Sequence, residues 1–156
     1  MAKIKREYIV AVLVLAAIVV LAWFYFNGSS PSNNSSARDS AQDAYDLKVV
    51  RANDQIAILN NFSLQWQSTM TVDQLKGFLD DYRSNVTTLA GMVNDTNKAG
   101  DGLKGYLQAG SSEYASVTSN EQALHDFLAA YITDYNRDAT SYNNNVGAQL
   151  GNVPLI

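Results

Sequence analysis

Three features of this 156-residue chain have residue types that could support chemistry: a lone histidine, two adjacent aspartates and an Asp/Asn-rich stretch. His125 is the only histidine. With no second ligand and no nucleophile placed near it by spacing, it reads as a surface residue at the start of a helix. Asp80 and Asp81 lie about 100° apart around a helix, so their carboxyls do not converge as a general acid and base. The stretch NDTNKAGDG supplies Asp95, Asn97, Gly100 and Asp101, oxygen ligands spaced as in a calcium loop. The twelfth place counted from Asp95, where a bidentate acid is required, is Tyr106, so the stretch reads as a helix terminator. The chain has no cysteine, which excludes a disulfide framework, a thiolate metal site and a cysteine nucleophile. There is no phosphate-cradling glycine motif and no serine elbow. The expectation is a protein that is not an enzyme and takes no metal and no cofactor.

The tyrosines are less ordinary. Tyr45, Tyr82, Tyr131, Tyr135 and Tyr142 fall at positions where Leu or Ile would pack more simply, and each brings a hydroxyl that needs a partner when buried. Either the rings lie in a helix seam with hydroxyls reaching its rim, or they line a groove between helices that admits a small ligand.

Elements that would position these residues are set by hydrophobic spacing. Tyr45, Val49, Ala52, Ile56 and Leu59 step by four and three, as do Leu75, Leu79, Tyr82, Val86, Leu89 and Val93. Leu124, Leu128, Tyr131 and Tyr135 repeat the pattern, and Tyr142 comes a heptad later. Ser40-x-x-Asp43, Thr71-x-x-Gln74 and Thr118-x-x-Glu121 read as capping boxes at the three helix starts. A shorter run, Leu103, Leu107, Tyr114 and Val117, predicts a further helix weakened by Gly105 and Gly110, with Gly100 to Gly102 as the turn before it. Long helices with narrow apolar stripes bury them only against one another. The fold class is therefore all-α, an elongated antiparallel bundle of four helices, or of three with residues 101–118 as an irregular connection.

Ahead of the bundle, residues 8–26 carry no charge, and about 19 residues at 1.5 Å rise come close to the hydrocarbon thickness of a bilayer. Lys3, Lys5 and Arg6 precede this run and the next basic residue is Arg38, so the positive-inside rule puts the N-terminus in the cytoplasm. Tyr8, Trp23 and Tyr25 suit the two membrane interfaces. A cleavable signal peptide ending at Val20-Leu21-Ala22 is the alternative, and it would leave an exposed WFYF. The expected organisation is a cytoplasmic tail (1–7), a transmembrane signal anchor (8–26), a Ser/Asn-rich linker (27–39), an extracytoplasmic bundle (40–146) and a C-terminal tail (147–156).

Six Asn-x-Ser/Thr patterns occur, at Asn27, Asn33, Asn34, Asn61, Asn85 and Asn94, and they read as candidate N-glycosylation sites, consistent with an outside location. Setting aside Lys3, Lys5, Arg6 and Glu7, 8 of the 11 basic and 14 of the 15 acidic residues remain, about six net negative charges. Such a surface repels a phosphate backbone, so nucleic acid is not an expected partner.

The reading that results is a single-pass membrane protein whose bundle serves protein–protein interaction or envelope structure, through another protein or through self-association. The layout of one membrane helix followed by a bundle resembles the periplasmic four-helix sensors of chemoreceptors. That resemblance is architectural only, and it implies a ligand-sensing domain acting through a partner, with a small molecule in the tyrosine seam.

Overall fold

The computed structural model describes residues 35–65, 70–147 and 150–154, the side chains of 63–65 excepted. The predicted span 8–26, its interface residues Tyr8, Trp23 and Tyr25, the topology residues Lys3, Lys5 and Arg6, and Asn27, Asn33 and Asn34 lie outside the described residues. Among the described residues no helix is long and apolar enough to cross a membrane. The chain divides into two units, Met1–Ala37 and Arg38–Ile156. Of the first, only the opening residues of a helix are described; the bundle belongs to the second.

Three long helices make up the bundle: α1 (Ser35–Gln65), α2 (Val72–Lys104) and α3 (Ser112–Val146), with no strand among the described residues. Lys48 reaches Asp95 and Gln55 reaches Asn85, so α1 and α2 are antiparallel. Asn97 meets His125 and Lys104 meets Glu121, so α2 and α3 are antiparallel too. The order is up, down, up, which is the three-helix form of the expected bundle.

Helix boundaries depart from the expected ones in instructive ways. The Thr71 box forms as read: Thr71 Oγ1 accepts from Gln74 N at 3.3 Å, and Thr71 N donates to Gln74 Oε1 at 2.9 Å. Thr118 caps nothing; its hydroxyl donates to Tyr114 O at 3.1 Å inside α3. The cap of α3 is Ser111, whose Oγ accepts from Tyr114 N at 3.2 Å. Ser40 lies within α1, and the tract read as a linker to Asp39 is helical from Ser35 onward. The extra short helix does not form: Leu103 belongs to the last turn of α2, while Tyr114 and Val117 open α3. Residues 105–111 turn the chain between them, with Gly110 at φ 83, a conformation few L side chains adopt. Gly100 and Gly102 stay helical, so neither a turn nor a calcium loop exists there.

The core obeys the four-three spacing. Ala52, Ile56 and Leu59 of α1 meet Leu79, Tyr82, Val86, Leu89 and Val93 of α2 and Leu124, Leu128, Ile132 and Tyr135 of α3. Tyr45, Val49, Leu103 and Val117 are buried as well, outside that main cluster.

Candidate functional site

All five candidate tyrosines are buried, none more than 7% exposed. The Tyr45 hydroxyl donates to Val117 O at 3.3 Å, and that of Tyr131 to Asn60 Oδ1 at 2.6 Å. The Tyr135 hydroxyl donates to Gly151 O at 2.9 Å, and its ring meets Tyr82 edge-on at 5.9 Å. Tyr82 also stacks on Phe62 at 6.2 Å. Val117, the partner of Tyr45, and Tyr135 are separated by roughly 27 Å along α3 at 1.5 Å per residue. Tyr45 therefore stands apart from Tyr135, whose ring packs on Tyr82.

Burial pushes the Tyr45 phenol well above its ordinary value, with the neighbouring Asn120 carboxamide partly opposing. Burial pushes Tyr131 up to about 12 and raises Tyr135. A folded-state value above the unfolded one, near 10, means the native state keeps protons that the unfolded chain releases. This stabilisation is complete below about pH 10 and is lost as pH rises through the folded-state values. Melting temperature is expected to hold up to about pH 9 and to fall steeply above about pH 10, with the share of phenolate absorbance that belongs to Tyr45, Tyr131 and Tyr135 appearing only with unfolding. Full tyrosine ionisation in a chain that is still helical would contradict the buried placement.

The second feature is a polar seam where α2 and α3 cross near the 105–111 turn. His125, expected on the surface, is half-buried, and its Nε2 pairs with Asn97 Nδ2 at 2.8 Å. One turn away the Lys104 ammonium pairs with Glu121 Oε2; the two side chains are only 15% and 13% exposed. Lys104 also lies 3.6 Å from Asp101 and 5.8 Å from the centre of the Tyr114 ring. Burial pulls the Lys104 amine down, but the Glu121 hydrogen bond and charge outweigh it, so the amine is raised and stays protonated. Gly100 makes room for this pair: a Cβ there would stand 2.0 Å from Glu121 Oε1 and 3.2 Å from Tyr45 Cε2. Close approach, not chain reversal, is what this glycine serves. Asn97 Oδ1, Asn120 Nδ2 and Glu121 Oε1 are buried without a hydrogen-bond partner, which makes the seam the least satisfied part of the interior among the described residues.

The third feature was hidden in the expected C-terminal tail. Asn143 holds both backbone groups of Leu150, its Oδ1 accepting from Leu150 N at 2.8 Å and its Nδ2 donating to Leu150 O at 3.1 Å. Asn136 does the same for Val153, at 2.9 Å in each direction. Seven helical residues advance about 10.5 Å and three extended ones about 10 Å, so two carboxamides two turns apart match two backbone positions three apart. Leu150 and Val153 drop into the core. Gly147 at φ 69 ends α3 and lets the chain double back. Apolar residues at 150 and 153 and asparagines a heptad apart on α3 are the only sequence signals of this arrangement.

Of the glycosylation candidates within the described residues, Asn61 and Asn94 are exposed. Asn85 is half-buried and engaged on both sides: Nδ2 donates to Asp81 O at 2.9 Å, and Oδ1 accepts from Gln55 at 2.9 Å. Thr96, the hydroxyl residue of the Asn94 pattern, is fully buried and bonded to Met92 O. No protein-family model, no curated protein and no solved structure matches this chain.

Proposed function

We propose that this chain is a membrane-anchored, extracytoplasmic helical-bundle module that works by protein–protein contact. The observation that carries the reading is the outer face of α1. Leu47, Val50 and Ile58 are 51%, 45% and 44% exposed, and their spacing sets them in one stripe opposite Tyr45, Ala52, Ile56 and Leu59. The other large apolar residues left exposed among the described residues, Val72, Tyr106 and Val146, sit at helix ends or in a turn. Three large apolar side chains left exposed on the face turned away from the core are available for contact with something else.

The anchor rests on the charge-free run 8–26 and the basic residues before it. A ligand sensor would need tyrosine hydroxyls free to face an opening, and those of Tyr45, Tyr131 and Tyr135 are taken up by Val117 O, Asn60 Oδ1 and Gly151 O, which favours contact over sensing. Placement outside the cell is tested on the full chain with Thr87→Cys, a single thiol on an exposed site in a cysteine-free background. A membrane-impermeant maleimide is expected to label it on intact cells. Labelling only after lysis would overturn the outward placement.

A further inference from the structure

We infer that the outer stripe of α1 pairs with the same stripe of a second copy, antiparallel, about a twofold axis passing between Ala52 and Asn53. This inference rests on the contact reading above and names its partner. Beside the apolar residues, Arg51 and Asp54 are exposed and make no ion pair or hydrogen bond among the described residues. Two other charged residues of α1 do pair, Arg38 with Glu113 at 3.0 Å and Lys48 with Asp95 at 3.1 Å, whereas Asp39 and Asp43 near its start do not.

Two coincidences fix orientation and register together. In an antiparallel pair, residues equidistant from the axis on opposite sides face each other across it. Leu47 and Ile58 stand equally far from the point between Ala52 and Asn53, and so do Arg51 and Asp54. A single register therefore sets Leu47 on the partner's Ile58 and Arg51 on the partner's Asp54, each twice, with Val50 beside the axis. This self-complementarity is what an isologous contact requires. A parallel, in-register pair would set Asp54 against Asp54 and Arg51 against Arg51, a like-charge arrangement. Three apolar residues per copy make a small contact, and confinement of both copies to one membrane raises their effective concentration enough for a weak one to form. Asn61 lies one turn beyond Ile58 on the same face, so a glycan there would block the pairing and the paired form has Asn61 unmodified.

The absence of cysteine makes the test direct. In the full chain in its membrane, Leu47→Cys together with Ile58→Cys is expected to give a disulfide-linked dimer on mild oxidation. Leu47→Cys alone is expected to give none, because the two copies of residue 47 are about 16 Å apart along the helix axis, beyond disulfide reach. Adding Arg51→Asp to the double-cysteine chain should reduce dimer yield roughly tenfold, and adding Asp54→Arg as well should restore it. Equal cross-linking by Leu47→Cys alone would overturn the antiparallel register, and no dimer from the double variant would overturn self-pairing. A photo-crosslinking residue at Val50 separates the two levels. An adduct with a different protein in place of the dimer would remove self-pairing and leave the contact reading standing, whereas no adduct of any kind would remove both.

Discussion

Removing residues 148–156 is expected to lower the stability of the bundle by about 2–4 kcal/mol, enough to reduce its melting temperature by roughly 10 °C. The loss has two sources. Leu150 and Val153, 9% and 7% exposed, leave the core they help close, and burial of side chains of this size stabilises by about 1.5–3 kcal/mol each. Five hydrogen bonds from Asn136, Asn143 and Tyr135 to the tail backbone go with them, each contributing about 1 kcal/mol net. The conformational entropy that the native chain gives up to order its tail offsets much of that sum and brings it to the stated range. A thermal melt of the full and shortened chains measures it. An Asn136→Ala chain should fall part of the way, since it leaves the Val153 N–H and C=O without their partner. Equal melting temperatures would mean the tail is not held as described.

Lys104→Met is expected to cost about 2–4 kcal/mol at neutral pH, at or below the range for breaking a buried ion pair, because Lys104 and Glu121 each keep some exposure. Without the ammonium, the Glu121 carboxylate faces Gly100, with Oε1 already lacking a partner. Replacing both residues, Lys104→Met with Glu121→Met, should recover most of the loss, since it removes charge and desolvation together. Chemical denaturation of the single and double variants beside the parent chain measures both effects. A double variant no more stable than the single one would place the cost in packing rather than in the stranded charge.

What the sequence made legible was the part governed by local rules. The four-three spacing of Tyr45 through Leu59, of Leu79 through Val93 and of Leu124 through Tyr142 identified buried positions correctly, because a long amphipathic helix has one way to hide its stripe. Leu75 is only partly buried, one turn from the start of α2, where the seam is still open. The Thr71 box formed, whereas the Thr118 box lost to Ser111, which comes after the positive-φ Gly110 and starts α3 earlier. A hydroxyl with an acid or a carboxamide three residues later is not sufficient for such a box.

The misreadings share one cause, a residue whose role is set by a distant neighbour. Gly100 looks like a chain break and instead clears space for Glu121 and Tyr45. His125 looks isolated and finds Asn97, 28 residues away. Asn136 and Asn143, which the apolar spacing did not single out, hold the tail backbone, 17 and 7 residues further on. Such contacts lie outside the four-three apolar pattern, and for that reason that pattern alone does not reveal them. The tyrosines were recognised as unusual, and the packing alternative accounts for those whose hydroxyls reach Val117, Asn60 and Gly151.

The proposed contact role requires α1 to present a covered face on the outer side of a membrane. Thiol labelling of two single-cysteine chains, Thr87→Cys and Leu47→Cys, compares an open site with the stripe under identical conditions. With an impermeant reagent on intact cells, Thr87→Cys should label quickly and Leu47→Cys several-fold more slowly, the two becoming equal once the membrane is dissolved and the protein diluted. Equal rates on intact cells would mean that nothing covers the stripe, and the contact role would fall.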